Sequence, residues 1–307
     1  MTVAIYSHPA CLEHRLLPGH PESPDRLRAV LAALDHVRYA GLPRRVAPRA
    51  TREQLARVHR RELIADVLDG PELPYRQLDP DTAMTSGSAE AALRAAGAVC
   101  AAIDHVMVAG TRRAFCAVRP PGHHATADTA MGFCLFNSVA VGAAHAIAAH
   151  PLSRVAIMDF DVHHGNGTQD IFWDDARVFY ASTHQSPLYP DTGRIYEHGK
   201  GGNIVNAPLP PGAGSVEFRA AVQTIVMPAL DAFAPELLII SAGFDAHRLD
   251  PLANLNLDAN DYGWVTEQLA ALAQRHCDGR IVSSLEGGYS IAALHESTQA
   301  HVDALMR

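Results

Sequence analysis

Short apolar, β-branched runs recur along the chain with helical patterns between them, and this alternation constrains the fold more than any other feature. The runs are Val3–Tyr6, Ala114–Val118, Arg154–Phe160, Val178–Ala181, Glu236–Ser241 and Arg280–Leu285. Helical spacing runs through Ser88–Val108, Asn137–Ala149, Ser215–Phe233, Asp258–His276 and Ile291–Met306, several of them opening on a Ser, Asn or Asp suited to an N-cap. Strands that are apolar on both faces belong in a sheet covered on both faces. The expected fold class is therefore α/β, a single domain over residues 1–307 with a mainly parallel central sheet flanked by helices on each side. No internal repeat or low-complexity linker interrupts it. The proline-rich stretches Pro18–Pro24, Pro71–Pro80, Pro187–Pro190 and Pro208–Pro211 read as ordered surface loops, not boundaries.

Composition narrows the partners. The 25 Lys and Arg against 33 Asp and Glu give a net charge of −8, and basic residues form no run longer than pairs such as Arg44-Arg45. A phosphate backbone finds no electrostatic footprint here, so direct nucleic-acid binding is not expected. No apolar stretch reaches the roughly 20 residues of a membrane span, and Met1–Tyr6 reads as a strand, not a signal peptide. A cytoplasmic protein with no membrane association is expected. The cysteines (Cys11, Cys100, Cys116, Cys134, Cys277) are odd in number and contain no C-x-x-C pair, so neither a disulfide framework nor a thiolate zinc site is indicated. The unusual entry is histidine, 18 in all. Imidazole is both a common metal ligand and a common general base.

In parallel sheets, ligands bind outside the carboxyl ends of the strands. Those ends are where this chain becomes polar: Arg119-Pro120-Pro121-Gly122-His123-His124, then Asp159-Phe160-Asp161-Val162-His163-His164-Gly165-Asn166-Gly167, then Ser241-Ala242-Gly243-Phe244-Asp245-Ala246-His247, then Leu285-Glu286-Gly287-Gly288-Tyr289. Asp159, Asp161 and His163 alternate with apolar residues, so on an extended chain they share one side. With Asp245 from another strand end they form an oxygen and nitrogen set suited to Zn²⁺ with one position left for water. Gly165 and Gly167 are expected to permit a sharp turn after it. Taken alone, Asp-x-Asp-x-His is equally a solvated strand end; three further polar strand ends on the same edge argue for a site.

His123 and His124 then suit acid–base work, with Asp159 and Asn166 as the partners that fix their tautomers. Tyr289, after two glycines, could hydrogen-bond a carbonyl oxygen opposite the metal; the alternative is an ordinary buried tyrosine. His247, His184 and His20 rank below these groups. The remaining histidines, His145 and His150 among them, lack a carboxylate-rich setting and read as surface or core residues. H-E-x-x-H, G-x-S-x-G, P-loop and zinc-deaminase patterns are missing from the sequence, which leaves metal-assisted hydrolysis.

Together with Gly19–Arg26 and Met131–Asn137, these motifs resemble those of the histone deacetylase-type amidohydrolases of the arginase/deacetylase fold, closest to the class II branch and its bacterial relatives. The resemblance covers nearly the whole chain. It implies Zn²⁺ bound by Asp161, His163 and Asp245, His123 paired with Asp159, His124 paired with Asn166, and Tyr289 polarising the carbonyl. Phe133 and Tyr189 would wall an acyl-lysine channel. K⁺ would bind near the zinc through Asp159, Ser182 and Thr183, and at a second site through Phe172, Asp175, Val178 and Asn203. The implied activity is zinc-dependent hydrolysis of an N-acyl amide, with acetyl-lysine side chains or a related small N-acyl amine as substrate. Leu252 stands where polyamine-specific relatives carry a glutamate, which favours a neutral-tailed substrate. The alternatives are an acetylpolyamine deacetylase and a catalytically silent metal-binding sensor.

Overall fold

The computed structural model describes residues 1–307 except Glu72, which lies within the Pro71–Pro80 stretch, and Ala109. Its strands are β1 (Val3–Ser7), β2 (Arg44–Val46), β3 (Arg76–Asp79), β4 (Thr82–Met84), β5 (Arg113–Cys116), β6 (Val155–Asp159), β7 (Val178–Gln185), β8 (Ile204–Leu209), β9 (Leu237–Ala242) and β10 (Ile281–Leu285). The helices are α1 (Pro24–Leu34), α2 (Arg52–Leu55), α3 (Arg61–Asp69), α4 (Ser88–Met107), α5 (Ser138–Ala149), α6 (Asn166–Ile171), α7 (Ser215–Ala221), α8 (Met227–Phe233), α9 (Ala259–His276) and α10 (Ile291–Met306). Strands β3 and β4 form a separate antiparallel hairpin, and the other eight make one sheet in the order β2-β1-β5-β10-β9-β6-β7-β8. Every neighbouring pair in that sheet is parallel.

Helices cover both faces because the strands are apolar on both faces. Tyr6 and Cys116 pair across β1 and β5, as do Ile5 and Phe115. The Tyr6 hydroxyl reaches the carbonyl of Ala101 on α4, while the Phe115 ring packs against His301 on α10. Successive residues of the same strands therefore bury against opposite helical layers. Helix α4 packs on α5, and α10 packs on α9 and α1. The four strands with polar ends, β5, β10, β9 and β6, are consecutive at the centre of the sheet. Their carboxyl ends consequently open on one place.

The edges are where sequence and structure part. Strand β2 is three exposed residues, Arg-Arg-Val, with no apolar pattern to announce it. Strand β8 takes in Pro208, which had read as part of a loop; an edge strand tolerates a residue without an N–H. Pro24 likewise belongs to no loop, because it opens α1, where a missing N–H costs nothing. The helical pattern Ser215–Phe233 is broken by a π-helical segment, Val222–Val226, just before Pro228.

Beneath the central strand ends lies a buried ionic cluster built from the Gly19–Arg26 segment. Glu22 accepts from Arg119 Nε at 2.7 Å and from Arg26 Nη1 at 3.0 Å. Arg119 also donates to the carbonyls of Cys11 at 2.7 Å and His14 at 2.9 Å. Burial alone would raise the Glu22 pKa, but Arg119 and its neighbours outweigh it and lower the value from 4.5 to about 2. Removing one partner of such a cluster leaves buried charge uncompensated. We predict that Glu22→Gln destabilises the fold by about 3–5 kcal/mol, measured by urea unfolding. Because the folded pKa is depressed, this contribution is complete above pH 4.5 and is lost as pH falls towards about 2; the variant should lack that acid-sensitive component.

Candidate active site

The Asp-x-Asp-x-His segment begins at the last residue of β6, Asp159, and continues beyond the strand in bends. Strand alternation therefore does not by itself carry the polar face to His163. Local hydrogen bonds do: the Asp161 N–H donates to Asp159 Oδ1 at 3.1 Å, and the His163 N–H donates to Asp161 Oδ1 at 2.9 Å. Asp161, His163 and Asp245 come together with their ligating atoms within 4.8 Å of one another. His163 Nδ1 lies 3.2 Å from Asp161 Oδ1 and 3.3 Å from Asp245 Oδ2.

The histidine pair follows β5 and stands beside this cluster. His123 Nδ1 lies 2.9 Å from Asp159 Oδ2, which also accepts the Tyr180 hydroxyl at 3.1 Å. His124 Nδ1 lies 2.8 Å from Asn166 Oδ1, and the two imidazole rings are 4.0 Å apart. Burial would keep His123 neutral, but the charges of Asp161 and Asp159 prevail and push its pKa up to about 10. Burial, with His123 and His163 beside it, holds His124 well below the ordinary imidazole value. The two rings are thus electrostatically distinct. Burial and the nearby Asp161 push Asp245 up to about 7.

Two of these features bear on a metal. The pair Asp161 and Asp245 is fully buried with one imidazole between them, and Asp245 Oδ2 has no hydrogen-bond partner. A compact divalent cation would offset the like charges and take up the orphaned oxygen, and two carboxylates with an imidazole form a donor set that Zn²⁺ accepts. Gly165 contributes space. Its φ of −76° is available to any residue, but a Cβ there would sit 2.3 Å from Asp159 Oδ2. Close approach, and not the turn expected of it, requires that glycine.

A cavity of about 190 Å³ reaches this group at His163 and is lined also by Asp81, His124, Gly132, Phe133, Leu188, Tyr189, Leu252 and Tyr289. Phe133 takes φ of 66°, held because Thr82 accepts its N–H at 2.9 Å while Asp81 accepts that of Gly132 at 2.9 Å. The Phe133 ring meets Tyr289 at 5.9 Å and His20 at 4.9 Å, and Tyr189 meets His124 at 5.1 Å. Tyr289 lies under the guanidinium of Arg26, 4.7 Å from its ring centre. Asp81, Leu188 and the β3–β4 hairpin were not singled out from sequence, since nothing in Asp81-Thr82 marks it as reaching another loop. Leu252 sits in the lining of the same cavity.

The remaining expected residues divide between the site and the amino ends of β7 and β8. Asp159 and Ser182 are paired across β6 and β7; Ser182 Oγ bonds His184 at 2.8 Å, and the Thr183 hydroxyl has no partner. The carbonyls of Phe172, Asp175 and Val178 converge on the Asn203 amide at 2.9, 3.3 and 2.9 Å. His145 and His150 correct their reading as residues without carboxylates: Asp104 Oδ1 lies 2.7 and 2.8 Å from them. That group has the composition of a metal site. However, Arg57 donates to His145 Nδ1 at 2.8 Å, which leaves the ring hydrogen on Nε2, facing Asp104. The arrangement is therefore a hydrogen-bonded cluster around Asp104.

Comparison with known proteins gives this geometry its family. The histone deacetylase domain family matches residues 20–305. The chain is 39% identical to Histone deacetylase 14, chloroplastic, of Arabidopsis thaliana over 98% of its own length and 76% of that protein's. It is 37% identical to a probable deacetylase of Archaeoglobus fulgidus, covering 100% of this chain and 86% of that one. It is 40% identical to the histone deacetylase-like amidohydrolase of Pseudomonas aeruginosa, covering 89% and 73%. Among solved structures, the HDA15 HD domain superposes with a TM-score of 0.94 at 37% identity, over 99% of this chain and 88% of that one. A parallel sheet with histidines and carboxylates gathered at its carboxyl edge, matched over nearly its full length by such relatives, makes this chain a member of the histone deacetylase family of hydrolases.

Proposed function

We propose that residues 1–307 form one zinc-dependent deacetylase unit that hydrolyses the side-chain amide of acetyl-lysine or a related small N-acyl amine. The observation that carries this reading is the Asp161–His163–Asp245 cluster at the base of a cavity about 190 Å³ in volume that His124 and Tyr289 also line. A volume of about 190 Å³ suits a small acyl-amine group. All five cysteines are free and buried, which agrees with a reducing, cytoplasmic setting; no helix among the described residues is long and apolar enough to cross a membrane.

Asp161, His163 and Asp245 would hold the zinc, whose chemistry when bound is Lewis acidity towards a carbonyl and a lowered pKa for water. The other groups act on protons and geometry. His124 donates its Nδ1 hydrogen to Asn166, which leaves the Nε2 lone pair free to accept a proton from the attacking water. As the water oxygen bonds to the acyl carbon and the C–N bond breaks, His124 returns that proton to the departing amine. His123, held by Asp159, gives electrostatic support to the charge that develops beside it. The Tyr289 hydroxyl donates to the carbonyl oxygen and so serves as an oxyanion-hole donor. K⁺ would suit the oxygens of Asp159, Ser182 and Thr183, and a second would be held by Phe172, Asp175, Val178 and Asn203, where three carbonyls already converge.

A second reading, deacetylation of acetylpolyamines, is favoured by the carboxylate of Asp81 in the cavity lining. Leu252 weighs against it because it offers the distant ammonium no ion pair. Asp81 is also engaged by the Gly132 N–H, so acyl-lysine is the preferred substrate. A catalytically silent sensor would need none of the proton-handling groups that line the cavity.

Three outcomes are expected. Asp245→Ala should lose both zinc and activity, and stoichiometric tight zinc in that variant, by elemental analysis, would contradict the ligand assignment. Tyr289→Phe should keep its zinc while kcat falls by about 10²–10³; near-normal turnover would remove the tyrosine from the mechanism. The native chain should show higher kcat/KM for an acetyl-lysine peptide than for acetylspermidine, with the ratio shifting towards the polyamine in Leu252→Glu. An unchanged ratio would rule out position 252 as the selector.

A further inference from the structure

Tyr289 ends a loop in which several backbone groups are held by defined partners. The Glu286 N–H donates to Ala242 at 3.0 Å, and the Gly287 N–H donates to Asp161 at 2.8 Å. The carbonyl of Gly287 accepts from Phe244 at 3.0 Å, and that of Gly288 accepts from Arg26 Nε at 2.5 Å. Gly288 takes φ of 120°, a region open to glycine, and so turns the chain immediately before the tyrosine. The Tyr289 N–H then donates to Asp250 Oδ2 at 2.7 Å. The other oxygen of the same carboxylate accepts the Leu252 N–H at 3.0 Å.

Asp250 is only 8% exposed, and it joins the backbones of two residues that both line the cavity, Tyr289 and Leu252. His247 Nδ1 accepts the Leu249 N–H at 3.2 Å, which closes the turn ahead of Asp250. The turn carrying Leu252 is thus anchored to the tyrosine.

We propose that Asp250 is a positioning residue for hydrolysis, holding the Tyr289 phenol and the Leu252 wall in one fixed relation. This rests on the deacetylase reading above, in which the phenol must meet the carbonyl oxygen. The hydroxyl stands at the far end of a long side chain, so a small rotation of the Tyr289 backbone displaces it substantially. Asparagine at 250 keeps one acceptor oxygen but turns an NH₂ group towards the second N–H, so one of the two ties becomes a donor facing a donor.

The test is a double-mutant cycle read through kcat and KM for an acetyl-lysine peptide, with amide hydrogen exchange alongside. Asp250→Asn should lower kcat by about 10²-fold, the effect of a misplaced reacting group, with zinc content retained and KM little changed. In the Tyr289→Phe background the same substitution should have no further effect on kcat. An equal loss in both backgrounds, or no loss in the native background, overturns the proposal. In the native protein the amides of Tyr289 and Leu252 should exchange slowly, and both should lose protection in Asp250→Asn. A freely exchanging Leu252 amide beside a protected Tyr289 amide in the native protein also overturns it, even if the variant does not fold. If the native protein hydrolyses no acetyl amide, the deacetylase reading fails while the exchange data still decide whether the carboxylate ties the two segments.

Discussion

Buried carboxylates that accept backbone N–H groups from neighbouring strand ends hold the functional edge of this sheet together. Asp245, after β9, takes the N–H of Val162 after β6 at 2.8 Å. Asp161, after β6, takes that of Gly287 after β10. Glu286, at the end of β10, takes those of Gly122 and His123 after β5 at 2.6 and 3.2 Å. A loop without regular structure must satisfy its backbone somehow, and a buried carboxylate must find donors. Each need here answers the other. The strand ends are cross-linked by the same residue types that could hold a cation, so the scaffold and the chemistry share their parts.

This sharing explains why burial is so complete at the site without being prohibitive. Asp159, Asp161 and Asp245 are all fully buried, yet nearly every oxygen has a hydrogen-bond donor or a histidine beside it. Charge-assisted bonds of this kind are stronger than neutral ones and lock geometry as well as charge. Asp245 Oδ2 has His163 beside it at 3.3 Å but accepts no hydrogen bond. It faces the point where two carboxylates and an imidazole converge, the place at which preorganisation for a bound cation would leave an acceptor unpaired.

Sequence reasoning reached the central sheet and the polar strand ends because both are written locally. Residues 155–158 and 237–240 are continuous apolar runs, and the polar motifs begin where those runs stop. It did not reach β2, whose Arg-Arg-Val carries no pattern, or β8, where Pro208 read as a loop. Nor did it find Asp81 and Asp250, which act through contacts with distant loops: Asp81 with Gly132, Asp250 with Tyr289. His145 and His150 were misjudged for the same reason, since Asp104 stands on another helix and approaches them only once α4 packs on α5. Periodicity and motif spacing report what a residue's neighbours in the chain impose, and these residues are defined by neighbours in space.

The central claim is that the four strand ends form one hydrolytic centre that depends on a bound metal. It is tested most directly by following hydrolysis of a single acetyl-lysine peptide through a cycle of chelation and zinc return. The account predicts that turnover disappears when the metal is stripped and is restored by one equivalent of Zn²⁺ per chain. Turnover that survives complete removal of metal, or a zinc-loaded, folded protein that never cleaves the amide, would contradict it.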